Sequence, residues 1–144
     1  MTNNYKLSEN IYIIAEIGNN HNGCMDMAFK LIDEAKKAGC NCVKFQSWDR
    51  ALFSDGVYER NSFLTDGREL DGNLEDQIKK YAMSFENLQK LREYCYNIDI
   101  DFSSSVFSIE QCKQLIKINP NFIKLASMDL NNDFMIKEAA RHNL

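Results

Sequence analysis

Residues 11–23 read IYIIAEIGNNHNG, an apolar run that ends on a carboxylate and breaks into two glycines, three asparagines and a histidine. The run IYIIAE (11–16) has the length and β-branched content of a strand. Its unbroken apolar character predicts burial on both faces, as in a parallel sheet. Gly18 and Gly23 permit positive φ and the asparagines tolerate the left-handed region, so a turn follows. A turn does not account for Glu16, because carboxylates are seldom fully buried without a partner. Glu16 therefore belongs where the strand ends and a pocket begins. The stretch IGNNHNG also lacks the G-x-G-x-x-G spacing that opens many doubly wound nucleotide-binding sheets.

From this strand onward the apolar period switches repeatedly. Ala28, Leu31, Ile32, Ala35 and Ala38 recur at helical spacing and Gly39 stops that helix. NCVKFQ (41–46) is a second strand. Residues 47–73 are too long and too rich in Gly, Asp and Ser for a simple connector, which predicts a functional loop or a partly helical excursion, with a short helix over NLEDQIKKYAM (73–83). Ser84 caps a helix carrying Leu88, Leu91, Cys95 and Ile98. IDIDFSS (98–104) supplies a third strand, with Ser104 and Ser105 at its end. Ser108 and Gln111 form a capping box before Cys112, Leu115 and Ile116. Pro120 blocks that helix, FIKLA (122–126) is a fourth strand, and Asn132 or Asp133 caps a last helix with Met135, Ile136, Ala139 and Ala140.

The order βαβαβαβα demands a parallel sheet with right-handed crossovers. A barrel of βα units collects its functional groups at the C-terminal ends of the strands, and those ends carry Glu16, Lys44 with Gln46, Ser104 with Ser105, and Lys124 with Ser127. The fold class is therefore α/β of the (β/α)8 TIM-barrel type, with this chain covering about the first four βα units. Lys44 stands between Val43 and Phe45, and Lys124 between Ile123 and Leu125, so alternation turns both lysines away from the apolar face. Two lysines on one interior face call for an anionic guest, a phosphate or a carboxylate. Hydroxyls nearby and helix N-termini at Ser108 and Asn132 fit the same guest. Four such strands leave an inner face expected to be apolar and exposed, which predicts pairing with a second copy or aggregation of the isolated chain.

A chain of 144 residues with 44% apolar and 26% charged residues fits one ordinary globular domain. The formal charge of −4 argues against a nucleic-acid surface. No run is long enough to span a membrane and residues 1–10 lack a signal-peptide core, which predicts a cytoplasmic protein with no membrane partner. Five cysteines without C-x-x-C spacing argue against a disulfide framework or a zinc site. His21 reads as a loop hydrogen-bonder and His142 as a charge at a helix C-terminus.

AEIGNNHNG, CVKFQ, FSSSVF and IKLASMDLNN, in this order and spacing, resemble the N-terminal barrel of the sialic acid synthase family, which includes N-acetylneuraminate, legionaminate and pseudaminate synthases. The likeness covers residues 11 to about 140. It implies condensation of phosphoenolpyruvate with an N-acylated amino sugar in its open aldehyde form, giving a nine-carbon 2-keto acid and phosphate. By position, Lys44, Ser105, Lys124 and Ser127 resemble the family's phosphoenolpyruvate-binding residues, and Glu16 resembles its carboxylate near the reacting carbons. Asp129 stands where some members carry a glutamate, one methylene longer. Asn20, His21, Gln46, Ser104 and Asn132 are second-tier candidates around them. Val106 replaces a residue of the family's S-T-P-F turn and is expected to loosen it.

The resemblance also implies a divalent metal, commonly manganese, bound by histidines of later strands and by no residue of this chain. It further implies a homodimer whose C-terminal antifreeze-like domain closes the partner's sugar site. Residues 1–144 are accordingly expected to be the N-terminal part of such a barrel, inactive when isolated. Another phosphoenolpyruvate-condensing synthase and a non-catalytic anion-binding βα scaffold are the alternative readings.

Overall fold

The computed structural model describes residues 11–48 and 79–141. Strand β1 (Ile14–Gly18) leads to helix α1 (Met25–Lys37) and strand β2 (Cys42–Gln46). Helix α2 (Phe85–Asn97), strand β3 (Asp101–Val106), helix α3 (Ile109–Lys117) and strand β4 (Phe122–Leu125) follow. A 3-10 turn (Ser127–Asp129) and helix α4 (Asp133–Ala140) close the series. Most of the excursion over 47–73, most of the helix predicted over 73–83, and His142 lie outside the described residues; residues 79–81 are helical.

The four strands are parallel and lie in chain order, β1-β2-β3-β4. A doubly wound sheet would reverse that order at a switch point. Strands laid side by side in sequence, joined by crossovers of one hand, keep every helix on the same face, which is the start of a barrel. The core lies between that face and the helices. Ile17, Val43, Phe45, Phe102 and Val106 from the sheet meet Ala28, Ile32, Leu88, Leu91, Cys95, Cys112, Leu115 and Met135. The Phe45 and Phe102 rings are fully buried with centroids 5.8 Å apart. Each such burial contributes about 1.5–3 kcal/mol relative to exposure.

Local signals explain the helix ends. Ser84 accepts from the Asn87 N–H at 3.2 Å, Ser108 from Gln111 at 3.1 Å and Asn132 from Met135 at 3.2 Å. The return arm of the expected capping box is displaced by one residue, since Gln111 Oε1 accepts from the Phe107 N–H at 2.7 Å. Gly39, at φ +84°, follows the C-cap Ala38 of α1.

Four expectations are corrected. The opening run is not buried on both faces: β1 begins at Ile14, and Ile11, Tyr12, Ile13 and Ile14 are exposed. In this sheet β1 is an edge strand with a single neighbour. Strand β3 runs on to Val106, so Ser104 and Ser105 lie within it. Val106 is fully buried against the helices, and so it extends the strand where a loosened turn was expected. The inner face is not an apolar patch either. Alternation sets Glu16, Lys44, Gln46, Ser103, Ser105 and Lys124 there, leaving apolar residues such as Ile14 and Phe122 at its lower end. No helix among the described residues is long and apolar enough to cross a membrane.

The turn after β1 docks by close backbone approach. Gly23 has φ +76°, and a Cβ there would overlap the Lys80 carbonyl oxygen. Gly39 has φ +84° but open space around the same position. Gly39→Ala should therefore cost about 1 kcal/mol of backbone strain, and Gly23→Ala should cost more, about 2–3 kcal/mol. Urea unfolding of the two variants side by side checks the order.

Candidate functional site

Because β1 and β2 are in register at Glu16 and Lys44, the two side chains project from neighbouring positions of the inner face and form an ion pair. Lys44 is nearly covered, with 15% of its side chain accessible, whereas Glu16 keeps 45%. A pair this exposed on one side adds little stability. Its use lies in placing a cation at the mouth beside a carboxylate that remains open to solvent. Lys44 Nζ also reaches Ser105 Oγ at 3.5 Å, across β3.

One step further up the strands, Gln46 lies beside Ser105, and Ser105 beside Lys124. Gln46 Nε2 donates to Glu16 Oε1 at 3.3 Å. Its Oε1 accepts from Trp48 Nε1 at 3.1 Å and from Asn19 Nδ2 at 3.4 Å. The ladder shifts register between Glu16 and Gly18. Gly18, at φ +53°, carries no Cβ to crowd Glu16 Oε1 and the Gln46 amide.

The β4 side is built separately. Lys124 makes no ion pair among the described residues. It lines a cavity of about 350 Å³ together with Ser127, Asp129, Leu130 and Ile136. Asp129 Oδ1 accepts from Asn132 Nδ2 at 2.9 Å, while its Oδ2 is buried with no hydrogen-bond partner. Glu16 and the β4 end stand three strand spacings apart, about 14 Å along the sheet. The structure therefore joins Glu16, Lys44, Gln46 and Ser105 in one cluster, and Lys124, Ser127 and Asp129 in an adjoining one.

The remaining candidates serve elsewhere. Ser104 faces the helices, where its hydroxyl and that of Ser47 are 2.6 Å apart and both are buried. Alternation assigns it to the face opposite Ser105, which removes it from the mouth. Asn20 Nδ2 closes the turn onto the Ile17 carbonyl at 2.9 Å. Asn132 caps α4 and holds Asp129. His21 is buried beside Phe45, with ring centroids 6.1 Å apart, and its Nδ1 accepts from the Gly23 N–H at 3.0 Å. Two contributors escaped the sequence reading, Asn19 and Trp48. Trp48 stands two residues after Gln46, a spacing that repeats the strand's inner-face period and was the available signal.

Among the described residues no group of three or more His, Cys, Asp or Glu side chains is gathered to hold a metal ion. His21 has its Nδ1 engaged and its Nε2 buried without a partner, but it is not gathered with further ligating side chains and does not by itself fit that role. The two clusters meet where Ser105 lies beside Lys124, so that together they can bind an anion through Lys44, Ser105 and Lys124 and present a carboxylate, Glu16, next to it.

The sequence profile of the NeuB family matches residues 31–144. N-acetylneuraminate-9-phosphate synthase of Drosophila melanogaster is 40% identical over 96% of this chain, which covers 37% of that protein. N,N'-diacetyllegionaminic acid synthase of Legionella pneumophila is 26% identical over 92% of the chain and 37% of its own length. The crystal structure of N-acetylneuraminic acid synthetase from Leptospira borgpetersenii, in complex with citrate, superposes with a TM-score of 0.74 at 25% identity. That likeness covers 93% of this chain and 42% of that one. The chain thus spans little more than a third of the length of the curated relatives it matches.

Burial lowers the pKa of His21 below its ordinary 6.5. Unfolding frees the ring to take up a proton that the folded state resists, so stability is full above the unfolded pKa and declines as pH falls below it. Thermal melts between about pH 7.5 and pH 5.5 should show this loss, and His21→Gln should remove that component. A His142→Gln control should leave it in place.

Proposed function

This chain belongs to the NeuB family, and from that premise we propose that it forms the N-terminal part of a barrel synthase. The reaction is condensation of phosphoenolpyruvate with an N-acylated amino sugar, giving a nine-carbon sialic-acid-type 2-keto acid and phosphate. The observation that carries the reading is the inner-face cluster in which the Glu16 carboxylate is paired with Lys44 and Lys44 reaches Ser105, with Lys124 beside Ser105 on the next strand.

Phosphoenolpyruvate carries a phosphate and a carboxylate, so two lysines on separate strands with a hydroxyl between them suit its two ends. Bound there, it exchanges the Glu16 partner of Lys44 for a ligand oxygen and leaves Glu16 accessible to the reacting carbons. The enol C3 attacks the sugar aldehyde carbon, whose oxygen takes a proton. The cation-like C2 that results then accepts water, with Glu16 as the base that orients the water and receives its proton. Collapse of the tetrahedral carbon expels phosphate through C–O cleavage and leaves the 2-keto group. Asp129, in the adjoining cavity with Lys124, serves the sugar's oxygen or its proton.

Manganese as the divalent metal, with ligands outside the described residues, belongs to the same reading, as does a homodimer in the cytoplasm.

Phosphate release from phosphoenolpyruvate in the presence of manganese and N-acetylmannosamine or its 6-phosphate tests the proposal in the complete protein. Lys44→Ala and Lys124→Ala should each raise KM for phosphoenolpyruvate by about tenfold or more, as expected for a lost charge-assisted contact. Glu16→Gln should lower kcat by about 10²-fold with little change in that KM. Normal kcat in the Glu16 variant would remove it from the chemistry. Residues 1–144 alone should show no turnover, and measurable turnover from them would overturn the half-barrel reading.

A further inference from the structure

Gln46 is held at both ends of its amide. Its oxygen receives the Trp48 indole N–H at 3.1 Å and the Asn19 amide at 3.4 Å, and its nitrogen donates to Glu16 Oε1 at 3.3 Å. An indole nitrogen can only donate. Turning the Gln46 amide over would set N–H against N–H at Trp48 and oxygen against oxygen at Glu16, so the indole selects the orientation that feeds Glu16. The second Glu16 oxygen is taken by Lys44; when phosphoenolpyruvate takes over Lys44, the Gln46 bond is the donor contact that still holds the carboxylate.

The indole is itself held in place. Its ring meets Tyr81 edge-on with centroids 6.1 Å apart, and Phe107, just past the end of β3, at 6.5 Å. Position 18 has φ +53°, and a Cβ there would stand 3.3 Å from Glu16 Oε1, a tight contact, and 3.6 Å from Gln46 Nε2, an ordinary one.

We propose that Trp48 is a positioning residue for Glu16, acting through Gln46: the indole N–H sets the amide, and the amide sets the carboxylate. The inference rests on the reading of Glu16 given above and adds to it the residue that aims the carboxylate.

Two measurements on the complete protein test it. Trp48→Phe identifies the Trp48 indole signal in a ¹H–¹⁵N correlation spectrum by removing it. Gln46→Met keeps the bulk at position 46 but accepts no such bond, and should shift that signal and speed its exchange with water by about 2- to 10-fold. An unmoved signal with unchanged exchange overturns the proposal. In the synthase assay, Trp48→Phe keeps an aromatic ring and loses the donor. It should lower kcat by about 3- to 10-fold and leave KM for phosphoenolpyruvate unchanged, because Lys44, Ser105 and Lys124 are untouched. In a Gln46→Met background the same change should have no further effect. Additive losses, or a loss confined to KM, would assign Trp48 a packing role and overturn the relay. A wild type that releases no phosphate would instead overturn the proposed reaction, and the indole signal then decides the relay by itself.

Discussion

The two-residue period of the strands, locked into one register across β2, β3 and β4, is the constraint from which both core and site follow. Val43 and Phe45 enter the core because Lys44 and Gln46 do not. A slip of β2 by a single residue would press a lysine and a carboxamide against Ile32 and Leu91, and would turn Phe45 toward the mouth. Such a slip forfeits the burial of several large side chains and strands unpaired polar groups in the core. The site's geometry is thus held by the hydrophobic face that lies directly behind it.

The polar side of the sheet is graded. Glu16 has a partner on each oxygen, Lys44 on one and Gln46 on the other, with Trp48 and Asn19 behind Gln46. Around Lys124 the order is looser, with a cation that makes no ion pair among the described residues and a buried carboxylate oxygen on Asp129 without a partner. One half holds a carboxylate between donors and the other leaves a lysine without an ionic partner among the described residues, a division that the proposed reaction would use to aim a base and to grip an anion. Exposed Met128, Leu130 and Phe134 border the open half. This is the side on which a barrel would continue, and the relatives' lengths leave room for such a continuation.

The glycine–asparagine turn after β1 links the Glu16 half to the helix side. Asn20 ties it to Ile17, His21 plugs it onto Phe45, and Gly23 lets it pass against the backbone at Lys80. Its first member, Gly18, carries a further burden, because the space it leaves is filled by the Glu16–Gln46 contact. One short turn therefore serves both the packing on the helix side and the order of polar groups on the inner side.

Periodicity and capping residues were enough to find four strands and the helices between them, the caps at Ser84 and Ser108 with Asn132 as one of two candidates for the last, and the inward direction of Lys44 and Lys124. These properties are local: a helical or alternating pattern, a side chain that reaches its own N2 or N3 backbone, a residue's parity within its strand. Parity also decides Ser104 against Ser105, but only once the true end of β3 is known, and that end depends on Val106 finding a buried place in the core. The exposure of residues 11–14 likewise follows from β1 having one neighbour, a property of the sheet and not of the run IYII. The pairing of Glu16 with Lys44, the bond of Gln46 to Glu16 and the hold of Asn19 on Gln46 belong to tertiary structure for the same reason. They join residues up to 30 positions apart, through a register that no single segment encodes.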